Sequence, residues 1–268
     1  FYFGFGIKGA AIGTVICQLI NFIWTTYYFT KGNSNLKLRL KNLRLKKEAV
    51  IAILTISITP FCMEVVTGSI HLVTNKFLQS YGGDLAIGAM TTITSINLMF
   101  LMPIYGLSQG MQTLIAYNFG AKEYERTKKI LLQGMFAAFV FLFGGFLLTR
   151  FFPNIFVNIF TKDAVLEKIC LDGMKIYLMT LPLLGVCVLG PIYFQSIGKI
   201  KQSMFLTLLR QVILFIPIIS VVPRFMEMKG VWMSQPIADI LAAIIITVFL
   251  VREIKSSTKN NEIQKEIA

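Results

Sequence analysis

Long apolar runs alternate with short polar stretches along the whole chain of 268 residues. An α-helix needs about 20 apolar residues to cross the hydrocarbon core of a bilayer. Seven runs meet that length, at residues 8–29, 49–76, 84–117, 128–149, 165–195, 203–222 and 231–251. The pattern therefore predicts an all-α membrane protein, a polytopic bundle of transmembrane helices.

The basic residues fall in the short stretches between these runs. Residues 30–48 carry seven Lys and Arg, and the stretches 119–129, 198–202 and 252–268 are also basic, whereas the turn at 80–84 has neither Lys nor Arg. Cytoplasmic loops of membrane proteins carry an excess of these residues. We therefore expect the basic stretches and the C-terminus in the cytoplasm, the N-terminus outside, and a multi-pass protein in the cell (inner) membrane.

Composition supports the membrane assignment. The chain is 55% hydrophobic and only 15% charged, whereas a soluble domain has roughly 25% charged residues. The net charge of +13 does not indicate nucleic-acid binding, because the basic residues lie between apolar runs and not on one face of a folded domain. The four cysteines stand singly, without metal-ligand or disulfide spacing. No metal and no cofactor is expected, apart from a coupling ion.

One apolar run is interrupted and then ends in a polar stretch. Pro103 removes a backbone donor and is expected to bend the helix. Gly106 and Gly110, four residues apart, share a face on which another helix or a ligand can come close. Asn118 is expected to cap the helix, and Gly120 is expected to end it in the left-handed conformation.

The run that begins at Gly106, GLSQGMQTLIAYNFGA, resembles the signature of the multidrug and toxic compound extrusion (MATE) family. The segments 9–14 and 75–86 are similar to the MepA-like branch of that family. The resemblance implies a twelve-span antiporter with two lobes of six helices. Such proteins export organic cations in exchange for H⁺ or Na⁺.

The resemblance also implies a domain plan: a MATE-type lobe of six transmembrane helices plus one preceding span. A short similarity between residues 6–14 and 230–238, each opening an apolar run with Gly, agrees with two repeated halves. Because the chain starts at a Phe, we expect a fragment whose earlier N-lobe spans precede it. The predicted parts are a last N-lobe helix (1–30), a basic cytoplasmic inter-lobe loop (31–48), the six-helix C-lobe (49–251) and a cytoplasmic tail (252–268).

Glu64 is the first candidate for chemistry. It lies near the middle of the run 49–76, and an ionised carboxylate at mid-bilayer costs at least about 2.5 kcal/mol. An antiporter needs such a carboxylate to exchange H⁺ or Na⁺ for a cationic substrate, so Glu64 is the predicted cation-coupling residue. The resemblance implies a cation-binding Glu in this helix. The alternative is a protonated Glu that only bonds a neighbouring helix.

Two other ionisable residues lie within apolar runs. His71 follows Glu64 by two helical turns on the same face, which suits either a proton relay or a hydrogen-bonded residue near the outer interface. Arg210 needs a carboxylate or carbonyl partner, and a structural pair is expected.

Polar and adaptable side chains within the apolar runs predict a substrate cavity. Amides in lipid need partners and therefore face helices or a cavity, while Met packs against varied shapes. The cavity candidates are Asn97, Met102, Tyr105, Gln109 and Gln195. The predicted hinge and packing positions are Pro60, Pro103, Gly106, Gly110 and Pro182.

These features predict a multidrug efflux antiporter that works by alternating access. The alternative function is a lipid-linked saccharide or polysaccharide flippase of the same superfamily, whose cavity needs several cations for pyrophosphate. The sequence has no nucleophile elbow, phosphate loop or paired catalytic carboxylates, so no enzyme is predicted. The expected partners are small organic cations or drugs and membrane lipids, not nucleic acid, and the full-length protein is expected to be a monomer.

Overall fold

The computed structural model of the protein describes residues 6–31, 37, 47–161 and 163–267. The chain divides into two compact units, Phe1–Cys62 and Met63–Ala268. Most of the basic stretch predicted at 31–48 lies outside the described residues.

In the first unit, helix α1 (Gly6–Thr30) contains the span predicted at 8–29. Most of its described side chains are exposed, and Trp24 near its end is 76% exposed. The hydroxyl of Thr30 donates back to the Thr26 carbonyl at 2.7 Å, as Ser and Thr hydroxyls commonly do within helices. An apolar helix with so much uncovered surface is typical of one that faces lipid or further helices.

Helix α2 (Lys47–Gly120) is bent at Gly83, where φ is 65° and ψ is −161°. That conformation is open to glycine and strained for other residues. The stretch Glu64–Gly120 is 57 residues long, which is roughly 85 Å of helix against a bilayer core of about 30 Å. It is therefore long enough for two crossings, in agreement with the separate spans predicted at 49–76 and 84–117.

The second unit continues with further helices. They are α3 (Tyr124–Phe151), α4 (Pro153–Phe160), α5 (Ala164–Tyr177), α6 (Leu184–Ser196), α7 (Ile200–Leu208), α8 (Ile216–Val221) and α9 (Pro223–Ile267). A 3₁₀ segment, Leu178–Leu183, joins α5 to α6, and a π-helical segment, Leu209–Phe215, joins α7 to α8. None of the described residues lies in a β-strand.

Four helical stretches of the described chain are long and apolar enough to cross a membrane: Glu64–Gly120, Tyr124–Phe151, Ala164–Ser196 and Ile200–Val221. They coincide with spans that the sequence predicts. The last predicted span, 231–251, lies within α9. The predicted fold class, an all-helical polytopic membrane protein, is confirmed.

Small residues let the helices of the second unit approach closely. Gly173 of α5 lies between α2 and α9, and a Cβ added there would come within 2.7 Å of Ile93 and 2.8 Å of Trp232. Gly145 of α3 faces Phe100 of α2, and a Cβ there would lie 2.6 Å from the ring. Glycines at such contacts are typical of helix packing in membranes.

The end of α2 differs in two details from the prediction. The helix ends at Gly120, but the residue with a left-handed backbone is Lys122, with φ 61°. The side chain of Asn118 donates from Nδ2 to the Leu114 carbonyl at 2.8 Å, which lies inside the helix, so Asn118 does not supply the expected cap. The backbone amides of Ala121, Lys122 and Glu123 bind the terminal carbonyls instead. The turn before α3 therefore reverses two residues later than the glycine indicates.

Candidate functional site

Asp239 lies at the centre of a buried polar cluster in the second unit. Its side chain is 3% exposed, although the residue lies within the apolar run 231–251 of α9. Gln235, one turn earlier, donates from Nε2 to Asp239 Oδ1 at 3.0 Å. Residues four apart share a face of a helix, so α9 itself supplies the first partner of the carboxylate.

Arg210 supplies the opposite charge from another helix. Its Nη1 donates to Asp239 Oδ1 at 3.2 Å, and its side chain is 19% exposed. Arg210 lies in the π-helical segment Leu209–Phe215, whose wider turn changes the direction of its side chains relative to a regular α-helix. The contact confirms the prediction that Arg210 has a partner, and it identifies that partner as Asp239.

Two further elements complete the surroundings of Asp239. Thr180, in the 3₁₀ segment, is a hydrogen-bonding neighbour of its side chain. Cys187 of α6 donates from Sγ to the main-chain oxygen of Asp239, with 3.6 Å between the two atoms. Because α9 also carries a proline at residue 236, three departures from regular α-helix border one carboxylate. Such irregular segments leave backbone and side-chain groups free to build a site.

The pairing of Arg210 with Asp239 makes the cluster compatible with a membrane interior. A single charged side chain at the bilayer centre is costly, and a partner of opposite charge reduces that cost. A buried pair is nevertheless weak evidence for added stability, because both ions lose their hydration. The site is therefore close to neutral overall while it still contains a carboxylate and a guanidinium.

A cavity of about 220 Å³, which we call the central cavity, opens beside this pair. It is lined by Thr67, Ile70, His71, Thr94, Asn97, Leu98, Leu101, Tyr105, Tyr177, Leu184, Arg210, Gln211, Phe215, Gln235 and Asp239. Of these described residues, Arg210 is the one permanent cation and Asp239 the one carboxylate. The rest of the wall combines apolar and aromatic side chains with amides, the hydroxyls of Thr67 and Thr94 and the imidazole of His71. Apolar surface with a small set of convergent polar groups is typical of sites for small organic molecules.

Two amide oxygens in the wall of the central cavity are buried and have no hydrogen-bond partner among the described residues: Asn97 Oδ1 and Gln211 Oε1. Buried acceptors of this kind are uncommon, and each calls for an explanation such as a water or a ligand. Both are acceptors, so they suit a cation or a donor group and not an anion.

Two more cavities adjoin the central one and share lining residues with it. The Asn75 cavity, about 310 Å³, shares His71, Tyr177 and Gln235. The Gln195 cavity, about 200 Å³, shares Tyr105 and Arg210. The three together form a row of adjoining spaces in which the central cavity, with its ion pair, holds the middle position.

The structure brings three of the predicted cavity residues to this row. Asn97 and Tyr105 line the central cavity, and Tyr105 and Gln195 line the Gln195 cavity. His71 lines the central and Asn75 cavities. A role for these residues in binding substrate stays a prediction.

The other predicted site residues lie elsewhere. Glu64 is exposed on α2 and lines none of the three cavities, and Met102 and Gln109 are also exposed on α2. Because these three side chains are exposed, they can contact groups other than the described residues. The predicted coupling role of Glu64 is untested by this geometry.

The predicted hinge positions differ in their surroundings. Pro103 lies in α2 where the helix continues, and Pro182 lies in the 3₁₀ segment next to the cluster. Gly106 and Gly110 have open space around them in the second unit. Pro60 lies within α2, but its side chain is outside the described set. Hinge motion at these residues remains a prediction.

Sequence reasoning missed Asp239. The signal was present, since residue 239 is the one acidic position in the apolar run 231–251 and Gln235 precedes it by one turn. The rule that singles out Glu64, a carboxylate within a membrane span, applies equally to Asp239. What the sequence does not contain is the register that places Arg210 opposite it, because that register depends on the π-helical segment.

Comparisons with known proteins agree with this architecture. The MatE family model matches residues 60–221. The chain is 26% identical over 256 residues to the multidrug export protein MepA of Staphylococcus saprophyticus, covering 94% of this chain and 56% of that protein. It is 27% identical over 255 residues to MepA of Staphylococcus aureus strain N315, with the same coverage of both chains.

A solved structure has a similar fold. It is the inward-facing conformation of a multidrug resistance MATE family transporter of the MOP superfamily, with a TM-score of 0.85 and 18% sequence identity. The alignment covers 97% of this chain and 60% of that one.

The chain spans little more than half the length of the curated relatives it matches. Those relatives are exporters by name, which agrees with the prediction that the chain is not an enzyme. The matched region, residues 60–221, is more than half of the 268 residues and includes α3 to α8. The chain therefore belongs to the MatE family of membrane transporters.

Proposed function

We propose that this chain forms part of a multidrug exporter that moves organic cations across the cell membrane in exchange for H⁺ or Na⁺. Alternating access, in which a central site opens to one side of the membrane at a time, is the mechanism that such a bundle suits. The C-terminus is cytoplasmic in this proposal, because the basic stretches lie on that side.

The observation that carries the proposal is the composition of the central cavity. It combines one buried carboxylate, Asp239, with the aromatic side chains of Tyr105, Tyr177 and Phe215. Aromatic faces attract organic cations, and a carboxylate adds a charge of the opposite sign. The aliphatic side chains beside these groups, such as Leu98, Leu101 and Leu184, offer apolar contacts to organic molecules of different shapes, as a multidrug exporter requires.

The same composition disfavours a flippase for lipid-linked saccharides. Recognition of pyrophosphate calls for several cationic donors, as Arg and Lys provide. Among the described lining residues of the central cavity, Arg210 is the one permanent cation, and it is already paired with Asp239. Lys and Arg elsewhere in the described chain do not line this cavity.

Dye efflux from cells that express the full-length protein tests the proposal. Cells loaded with cationic ethidium should lose the dye faster than cells with an empty vector, while loss of anionic calcein should not change. Equal rates for ethidium in both strains would overturn the proposal. Faster loss of calcein but not of ethidium would favour transport of anionic compounds instead.

A further inference from the structure

We propose that Arg210 is a tethered competitor for the organic cation that binds at Asp239. In this structure the Arg210 guanidinium is paired with the Asp239 carboxylate. A cationic substrate displaces the guanidinium into the neighbouring Gln195 cavity. The inference rests on the proposed function, since it requires that the central cavity binds organic cations.

The geometry of the contact between Arg210 and Asp239 is that of a pair which a ligand can replace. Arg210 reaches Asp239 through a single described hydrogen bond, Nη1 to Oδ1 at 3.2 Å. A guanidinium and a carboxylate form their strongest pair through two parallel hydrogen bonds at about 2.7–2.9 Å. Asp239 Oδ1 also accepts from Gln235 Nε2, so the carboxylate keeps a partner when the guanidinium leaves.

The Arg210 side chain has a second set of possible partners in the Gln195 cavity. It lines both the central cavity and the Gln195 cavity, so its side chain stands at the boundary between them. The Gln195 cavity offers oxygen acceptors from Gln195, Ser203 and Gln211, and Gln211 Oε1 is buried without a partner among the described residues. A guanidinium is a donor of five N–H groups and needs such acceptors. Rotation toward them would exchange one set of partners for another.

The central cavity keeps the features that a cation needs after Arg210 has left. Tyr105, Tyr177 and Phe215 contribute aromatic surface, and Asn97 Oδ1 is a further buried acceptor without a partner among the described residues. Together with the Asn75 cavity of about 310 Å³, the space is comparable to that of sites for small drugs. The exposed carboxylate then provides the one negative charge.

The arrangement explains how a carboxylate remains in the membrane between transport events. A bare carboxylate is costly there, whereas one paired with Arg210 is neutralised. A neutral compound gains nothing from replacing the guanidinium, because it brings no charge for Asp239. The pair therefore favours cationic over neutral or anionic compounds, since only a cation can replace the charge that it displaces.

Binding of tetraphenylphosphonium to the purified full-length protein tests the inference. Calorimetry should show that Arg210→Gln binds this cation at least about tenfold more tightly than wild type, because the competitor is removed. The double variant Arg210→Gln/Asp239→Asn should lose that gain. Tetraphenylborate, an anion of the same shape, should bind no more tightly to Arg210→Gln than to wild type.

Two controls separate competition from a change in folding. Arg210→Lys retains a cation beside Asp239 and should bind tetraphenylphosphonium within about threefold of wild type. Glu253→Gln breaks an ion pair that lies outside the three cavities and should leave the affinity unchanged. Unchanged or weaker binding by folded Arg210→Gln would overturn the inference and make Arg210 a structural or direct binding residue.

If Arg210→Gln does not fold, the double variant Arg210→Gln/Asp239→Asn tests the inference. Its paired amides remove both charges, so its preference for tetraphenylphosphonium over neutral triphenylphosphine oxide should disappear. Persistence of the wild-type preference would overturn the inference. Failure of the wild-type protein to export ethidium would count against the proposed function instead, so the two failures are distinguishable.

Discussion

The Arg210 guanidinium lies 3.2 Å from the Asp239 carboxylate, across 29 positions of sequence. The contact joins the π-helical segment Leu209–Phe215 to α9, two parts of the chain that pack against each other. It places two opposite charges in the otherwise largely apolar packing of these helices. The charge of the central cavity depends on this pair, and loss of either partner would leave the other charge buried and unpaired.

Neutralising one member of the Arg210–Asp239 pair should lower the free energy of unfolding more than neutralising both. Asp239→Asn leaves the Arg210 cation without its carboxylate in a nearly buried place, and we expect about 3–5 kcal/mol less stability. The double variant Arg210→Gln/Asp239→Asn should recover part of that loss, because no unpaired charge remains. Thermal unfolding of the full-length protein in detergent compares wild type, Arg210→Gln, Asp239→Asn and the double variant. Additive losses would show that the two residues do not interact.

Helix packing at Gly145 should be intolerant of side chains, while its neighbour Gly144 should accept them. A Cβ at Gly145 would lie 2.6 Å from the Phe100 ring, whereas one at Gly144 would have no atom within 4 Å. We expect Gly145→Leu to destabilise the protein by about 1–3 kcal/mol through overpacking. Gly144→Leu serves as the matched control and should not lower the melting temperature. Equal effects of both substitutions would contradict the packing described.

The ion pair between Lys199 and Glu253 joins the turn after α6 to α9. Nζ and Oε2 are 2.6 Å apart, with the Lys side chain 41% exposed and the Glu side chain 11% exposed. Partial exposure limits such a pair to about 1 kcal/mol or less. Glu253→Gln should therefore lower the melting temperature slightly in dilute buffer and less at 1 M salt, where charges are screened. A loss that is independent of salt would indicate a packing effect.

Glu64 should control the ion dependence of export. A neutral Glu64→Gln variant cannot exchange a cation at this position, so we expect ethidium efflux that no longer responds to an imposed H⁺ or Na⁺ gradient. Glu125→Gln, at an exposed position in the first turn of α3, is the matched control. Should Glu64→Gln retain the gradient response of wild type, the coupling role belongs to another residue.

Much of the architecture follows from hydrophobic patterning. The long apolar runs predict helices that the structure contains, and the Gly82-Gly83 pair falls where α2 bends. A run of about 20 apolar residues admits few alternatives in a bilayer, since every backbone polar group must be paired internally. The exact end of α2 does not follow from the sequence, because the residue with a left-handed backbone can lie beyond the glycine. Here it is Lys122.

The candidate site was only partly predictable for a different physical reason. Individual polar residues such as Asn97, Tyr105 and Arg210 stand out within apolar runs, and the structure places all three at the central cavity. Asn97 and Tyr105 lie on α2, whereas Arg210 lies in the π-helical segment, so their grouping depends on how separate parts of the chain pack. The sequence periodicity of one helix carries no information about such distant partners, so the pairing of Arg210 with Asp239 needed the structure.

Transport of tetraphenylphosphonium by the full-length protein in proteoliposomes tests the central claim most directly. With an imposed H⁺ or Na⁺ gradient, wild-type protein should accumulate this cation against its concentration gradient, and Asp239→Asn should lose most of that accumulation despite normal incorporation. Accumulation by Asp239→Asn at the wild-type level would contradict the claim that the carboxylate in the central cavity receives the transported cation.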